Sequence, residues 1–236
     1  MKSFTYVVGI DEAGRGPIAG PVSVGVFVTR KNFVIKNGQR LRKIFPGLND
    51  SKKLSGTQRE RIFSLIENAV KKGDVTFCVI LVSAKIIDQK GITKAVQIGI
   101  DKAIKGINLF VPPALGRHEK LRSARLSHRL SLGGIKKLDL NYKNTFIYLD
   151  GLLRAPKEFS QKTVIKGDVK IAVISAASIC AKVVRDRHMK KMAEKYLDYG
   201  FEKHKGYGTK EHYKAVSKYG LSFEHRKTYL KNYQQS

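Results

Sequence analysis

Cysteine is scarce in this 236-residue chain: Cys78 and Cys180 are the only two, and both lie in apolar stretches. Two such residues exclude a disulfide framework, and their spacing matches no zinc motif; we read them as reduced core residues of a cytoplasmic protein. Long hydrophobic runs are also missing. Nothing approaches the ~20 consecutive apolar residues of a membrane span. The opening MKSFTYVVGIDEAG has only a short apolar run that ends in two acids, which reads against a secretory signal. The chain holds no GK[ST] phosphate loop, no dinucleotide fingerprint and no internal repeat. His204, His212 and His225 invite a metal reading, but nothing spaces them for zinc.

Acids are few. Asp and Glu total 19 against 46 Lys and Arg, for a formal charge of +27. A field of that sign attracts polyanions and speeds their capture, so nucleic acid is the expected partner. The plainer reading is a lysine-rich chain whose charge only keeps it dissolved. Hydrophobic residues make up 42%, enough for a packed core and against global disorder.

Apolar periodicity gives the elements. Residues 5–10 (TYVVGI), 21–28 (PVSVGVFV), 75–82 (VTFCVILV) and 145–149 (TFIYL) read as buried strands, with a short strand over 163–165. The 14–21 link, with three glycines and two prolines, cannot be a helix. Residues 29–47 form a basic connection with a hairpin expected around Asn37–Gly38. Ser55 with Gln58 predicts a capping box and a helix to about Lys72. Residues 92–104 are an amphipathic helix. A long helix is expected from Ala172 to about Leu197, with small residues on its buried side. Its other side carries Lys182, Arg185, Arg187, Lys190 and Lys191. A last helix runs from about Thr209 to Tyr219 and stops at Gly220. Residues 114–143 carry eight Lys or Arg against two acids and break the rhythm. They read as a surface insertion, either a loop without order or a basic arm for nucleic acid. The first strands follow each other without a helix, which favours a mixed sheet.

The few acids stand where α/β proteins build sites. Asp11 and Glu12 close the first strand, Asp150 closes TFIYL, and Asp168 precedes the long helix. Each has an ordinary alternative: a solvated strand end, an Asp-Gly turn, an acid at a helix start. Together they form a carboxylate set that costs energy unless cations neutralise it. Oxygen ligands without His or Cys favour Mg²⁺ or Mn²⁺, and two such ions suit phosphodiester cleavage. Gly14-Arg15-Gly16 lets backbone approach a ligand closely, though a tight strand connection would need the same residues.

Several motifs in order then carry a resemblance. Residues 9–17 (GIDEAGRGP) and 19–22 (AGPV) are similar to the opening signature of the ribonuclease HII family. The matches continue at 48–54 (LNDSKKL), 148–151 (YLDG), 166–168 (KGD), 175–179 (SAASI), 181–183 (AKV), 185–187 (RDR), 204–209 (HKGYGT) and 225–226 (HR). The resemblance implies an RNase H-like α/β fold: a central mixed five-stranded sheet flanked by helices, with a helical C-terminal part. It implies a catalytic domain over about 1–198, interrupted by the basic segments 29–47 and 114–143, and a substrate-binding extension over 199–236. Asp11, Glu12, Asp150 and Asp168 would be catalytic metal ligands. Gly14, Arg15 and Gly16 would read the ribose 2′-hydroxyl at an RNA–DNA junction, the one group that separates the two sugars. Tyr207 would pack on the following deoxyribose; a core tyrosine on a Gly-Tyr-Gly turn is the alternative. Lys52, Lys182 and Arg185 are candidate phosphate contacts, Lys182 being the one better read as a solvated basic face, and Asp186 reads as structural, pairing with an arginine.

The implied activity is endonucleolytic hydrolysis of RNA in RNA–DNA hybrids, and nicking of duplex DNA 5′ of an embedded ribonucleotide, by a monomer with no membrane association. Two rivals remain. The sister family ribonuclease HIII carries a different residue at the place of Arg15 and an extra N-terminal domain. A basic nucleic-acid-binding protein without catalysis fits the charge but gains nothing from four carboxylates.

Overall fold

The computed structural model describes residues 4–48, 53–107 and 140–231. Lys52, the residues 108–139 that hold most of the basic 114–143 segment, and the 232–236 tail lie outside the described residues.

Five strands form one sheet in the order β3-β2-β1-β4-β5. They are β1 (Tyr6–Ala13), β2 (Val22–Arg30), β3 (Val75–Val82), β4 (Thr145–Asp150) and β5 (Ser160–Val164). The first three pair antiparallel, while β4 and β5 run parallel to β1. This is the mixed five-stranded sheet expected. Only the antiparallel pair β1–β2 is joined by a direct link; β2 reaches β3, and β3 reaches β4, through helices, and β4 passes to β5 through a short non-helical connection.

Both faces are covered, so the strands read as continuous apolar runs. Val8 and Ile10 join Val24, Val26, Ile100 and Ile104 in one core layer, under α4 (Ile92–Gly106) and the shorter α3 (Ala84–Lys90). Val7, Phe27, Phe77 and Val79 join the other layer, under α6 (Ala172–Ala193), α2 (Gly56–Lys71) and α1 (Ile35–Ile44). The long helix α6 lies close on β1 and β2 because two strand residues lack side chains. A Cβ on Gly9 would sit 2.1 Å from the Val173 carbonyl, and one on Gly25 would sit 2.3 Å from the Ala177 carbonyl.

Local signals account for the helix ends. Ser55 Oγ accepts from Gln58 N at 3.1 Å and Gln58 Oε1 accepts from Ser55 N at 2.7 Å, the capping box expected. The helix α8 (Lys210–Tyr219) is capped by Thr209 and ends at Gly220 with φ 75°. Between α6 and α8 the chain makes a 3₁₀ turn (Leu197–Tyr199) and the single-turn helix α7 (Phe201–His204). Another short helix, α5 (Gly167–Lys170), leads into α6.

Two local expectations are corrected. The 29–47 connection is helical rather than a hairpin: a 3₁₀ turn (Lys31–Phe33) precedes α1. Burial decides this. Leu41 and Phe45, four residues apart, are both fully buried, and the Phe45 ring meets Phe27 edge-on at 6.3 Å. Gly38 keeps the positive φ of a turn residue but spends it on passing Ala172, where a Cβ would come within 2.6 Å. The long helix also stops at Ala193, four residues early, as Met192 O accepts from both Lys195 N and Tyr196 N.

A third, smaller cluster ties the C-terminal part down. Phe201, Tyr199 and Val216 pack with Met189 and Met192 of α6 and with Ala19 from the loop after β1. Ala19 also bridges to His225. No helix among the described residues is long and apolar enough to cross a membrane.

Candidate active site

Side chains alternate along β1, so Asp11 falls on the α6 face with Val7 and Gly9, and Glu12 on the opposite face with Val8 and Ile10. The strand continues through both acids to Ala13. Asp11 is 4% exposed and hydrogen-bonds the Ser178 side chain of α6 and the Glu12 amide, the latter at 2.7 Å. Burial holds its carboxyl well above the usual range, and the charges of Glu12 and Asp150 push it further up. Glu12 Oε1 pairs with the Arg15 guanidinium at 3.3 Å.

The neighbouring strand supplies Asp150. In the parallel register Ile10 faces Leu149, so Asp11 and Asp150 leave the sheet side by side. The Gly167 amide donates to Asp150 Oδ1 at 2.6 Å. This close approach needs glycine: a Cβ on Gly167 would lie 2.5 Å from the Ile174 side chain and 3.3 Å from Asp150 Oδ1. Lys166, in the left-handed region at φ 55°, turns the chain so that Asp168 follows in the first turn of α5, only 2% exposed. Asp168 thus stands at a helix start, one residue after the amide that binds Asp150. Among the described residues, no group of three or more His, Cys, Asp or Glu side chains is arranged to hold a metal ion. The carboxylates lie close enough to raise Asp11 without converging on one point.

The Gly14–Pro21 loop leaves β1 beside these acids. Gly14 has φ 89°, and a Cβ there would strike the Arg185 guanidinium at 2.1 Å. Arg15 and Gly16 are exposed, and nothing lies within 4 Å of a Cβ placed on Gly16. The loop is held from beneath by two fully buried arginines. Arg185 donates to the carbonyls of Pro21 (2.8 Å), Lys205 (2.9 Å) and Ala19 (3.2 Å). Arg226 donates to those of Gly14 (2.6 Å), Arg15 (2.8 Å) and Gly20 (2.9 Å). Burial, then the charge of Arg226, pulls Arg185 down to about 10, still charged at neutral pH.

Arg185 therefore corrects an expectation. It is not a phosphate contact on a basic helix face, because its guanidinium is enclosed and engaged on carbonyls. It lies on the buried i, i+4 line of Ala177, Ala181 and Met189, a spacing that could have revealed it. Arg226 gave no such signal in a chain rich in basic residues. Lys182 stays near the surface, bonded to Asp186 Oδ1 at 2.8 Å. Asp186 has Arg59 as a second, longer partner at 3.9 Å. The phosphate reading of Lys52 falls outside the described residues.

Tyr207 is 44% exposed, on a turn that Lys205 (φ 53°) and Gly206 (φ 84°) force into the left-handed region. It is not a core tyrosine. Its ring stands 5.9 Å from Lys182 Nζ and 6.0 Å from the Arg185 guanidinium carbon. The turn sits back to back with the loop: Ile18 N and Ala19 N donate to Gly206 O at 2.9 and 3.1 Å. Beneath it, His212 Nδ1 meets the Tyr207 carbonyl at 2.8 Å, and His212 Nε2 lies 3.1 Å from His225 Nε2. His212 and His225 are thus buried core groups, and His204 is half-buried.

Comparison with known proteins gives consistent results. The family model described as Ribonuclease HII matches residues 8–112 and 134–232. A protein named Ribonuclease HII from Bacillus cereus (strain AH820) is 37% identical over 228 residues, spanning 97% of this chain and 70% of the relative. The crystal structure of ribonuclease H2 from Pyrococcus horikoshii OT3 superposes with a TM-score of 0.62 at 27% identity, covering 94% of this chain and 93% of that one. Bst-RNase HIII in complex with Mn²⁺ shares the fold with a TM-score of 0.56 at 14% identity, covering 100% and 72%.

Proposed function

The chain belongs to the ribonuclease HII family, and we propose that it hydrolyses the RNA strand of RNA–DNA hybrids and nicks duplex DNA on the 5′ side of embedded ribonucleotides. The products carry 3′-hydroxyl and 5′-phosphate ends. One observation supports this most directly: the acids of β1 and β4 stand side by side, with the Gly167 amide that precedes Asp168 bound to Asp150, next to a loop whose exposed tip is Arg15 and Gly16.

The donor set fits a hard divalent cation. All candidate ligands are carboxylate oxygens, and Asp11 is held high partly by its like-charged neighbours, a repulsion that a cation relieves. Asp11, Glu12, Asp150 and Asp168 would hold Mg²⁺ or Mn²⁺, two ions during catalysis. When bound, such ions supply an activated water and stabilise the leaving oxygen. The protein's own residues do the rest. Ser178 and the Glu12 amide orient the Asp11 carboxylate, and the Gly167 amide orients Asp150. Gly14, Arg15 and Gly16 read the ribose, and the Tyr207 ring meets the next sugar. The +27 charge draws in the duplex. Residues 199–236 serve as the substrate-binding extension of a catalytic domain over 1–198. The protein acts as a cytoplasmic monomer.

Arg15 at the loop tip and the family match favour this reading over a ribonuclease HIII. The acids disfavour a binder without catalysis. The test is cleavage of a duplex with a single ribonucleotide, mapped to the nucleotide, with and without Mg²⁺. Cutting 5′ of the ribonucleotide only with metal is expected. Binding without cleavage at any Mg²⁺ or Mn²⁺ concentration would overturn the proposal.

A further inference from the structure

The two residues that set the loop tip, the buried Arg226 and the half-buried Tyr229, come from the far end of the chain. Arg226 places Nη2 on the Gly14 carbonyl and Nη1 on the Arg15 carbonyl, at 2.6 and 2.8 Å. Tyr229 then donates its hydroxyl to the same Arg15 carbonyl at 3.0 Å. The Tyr229 ring stacks under the Arg226 guanidinium, 5.2 Å from it, and Arg226 N donates to Ile18 O at 2.8 Å.

A trans peptide fixes what this does at the surface. The N–H of one residue points opposite to the C=O of the residue before it. Drawing the Gly14 carbonyl inward turns the Arg15 N–H outward, and drawing the Arg15 carbonyl inward does the same for Gly16. Consecutive amides turned to one side make a concave donor pair for a single oxygen. One guanidinium spanning both carbonyls fixes their relative orientation, which a single ammonium on a flexible stem cannot do.

We propose that Arg226 and Tyr229 are specificity-determining positioning residues: they aim the Arg15 and Gly16 amides at the sugar oxygen by holding the carbonyls behind them. This rests on the reading that Gly14–Gly16 contacts the ribose.

The experiment compares Tyr229→Phe, Arg226→Gln, Arg226→Lys and Gly16→Ala in the full chain. Three quantities are measured: kcat/KM on a duplex with one ribonucleotide, Kd for the all-DNA duplex, and the melting temperature. Gly16→Ala tests the underlying reading, since its Cβ meets nothing in the protein; it should melt normally and cut poorly. Tyr229→Phe keeps the ring and removes one hydrogen bond. It should lower kcat/KM about fivefold, with Kd for plain DNA and melting unchanged. Arg226→Gln should lower it at least tenfold, and Arg226→Lys should fail to rescue it. If Gly16→Ala cuts normally, the ribose reading falls and this inference with it. If Gly16→Ala is impaired while Tyr229→Phe cuts at the wild-type rate, the ribose reading stands and the positioning role is overturned. Equal losses of cleavage and of plain-DNA affinity in Tyr229→Phe would overturn it as well.

Discussion

His212 Nε2 and His225 Nε2 face each other at 3.1 Å, and the groups around them allow only one order of protons. The Ser222 amide donates to His225 Nδ1 at 2.9 Å, so the His225 proton sits on Nε2 and points at His212. His212 must then accept on Nε2 and donate from Nδ1 to the Tyr207 carbonyl, 2.8 Å away. Both rings are neutral, and the line of hydrogen bonds ends at the backbone of the exposed tyrosine.

Burial lowers both His212 and His225 to about 4. In the unfolded chain they titrate near 6.5. Between pH 6.5 and 4 the unfolded state binds more protons, so stability falls as the solution is acidified through that window. Each histidine contributes on the order of 3 kcal/mol of this loss at its limit. Melting temperatures at pH 7 and pH 5 should show it, and His225→Asn should lessen the difference. A pH dependence unchanged in that variant would count against the pair.

Tyr207→Ala should leave the melting temperature unaltered, within roughly 0.5 kcal/mol of stability, because the ring is exposed. Cleavage beside a single ribonucleotide should fall at least tenfold. A lowered melting temperature would mark the ring as a packing element.

Gly206→Ala should behave in the opposite way. The position has φ 84°, and the new Cβ would meet the Ala19 carbonyl at 2.3 Å. Backbone strain alone costs roughly 1–3 kcal/mol, and the collision adds to it. Chemical denaturation should register the loss before any assay does.

Arg185→Met separates a buried clamp from a surface phosphate contact. Removing the guanidinium leaves the Ala19, Pro21 and Lys205 carbonyls without their donor in the interior. Destabilisation of roughly 3 kcal/mol or more is expected from denaturant curves. A variant as stable as the parent, with weaker DNA affinity, would restore the surface reading.

Asp11→Asn should slow cleavage by several orders of magnitude, since it removes a buried acid and with it charge proposed to hold the metal. A second readout does not depend on turnover. Millimolar Mg²⁺ should raise the melting temperature of the parent by mass action, and that gain should vanish in Asp11→Asn. Chelation with EDTA should abolish cleavage reversibly.

The sheet and the acids were legible because local rules produce them. Apolar runs bounded by turn residues gave the first four strands, while the polar edge strand Ser160–Val164 was expected only at 163–165; Ser55 with Gln58 marked a helix start to the residue. What the sequence hid depends on tertiary burial. Asn37–Gly38 spells a hairpin, but Leu41 and Phe45 had a core to enter, so α1 formed. Arg185 and Arg226 look like any other cations until the carbonyls of a distant loop come to enclose them. Arg185 was recoverable from its i, i+4 spacing with Ala181 and Met189; Arg226 was visible only as part of a family motif. The carboxylates were found one by one, whereas their mutual electrostatic push on Asp11 needed the parallel register of β1 and β4.

The Arg226 and Tyr229 contacts reach back 211 and 214 residues to the Arg15 carbonyl. During synthesis the loop leaves the ribosome early, yet its clasp is translated some two hundred residues later. Chains build from the N-terminus at about 5–20 residues per second, so the loop waits on the order of ten seconds or more for its clasp. The loop tip therefore receives its Arg226 and Tyr229 donors only after translation has passed residue 229.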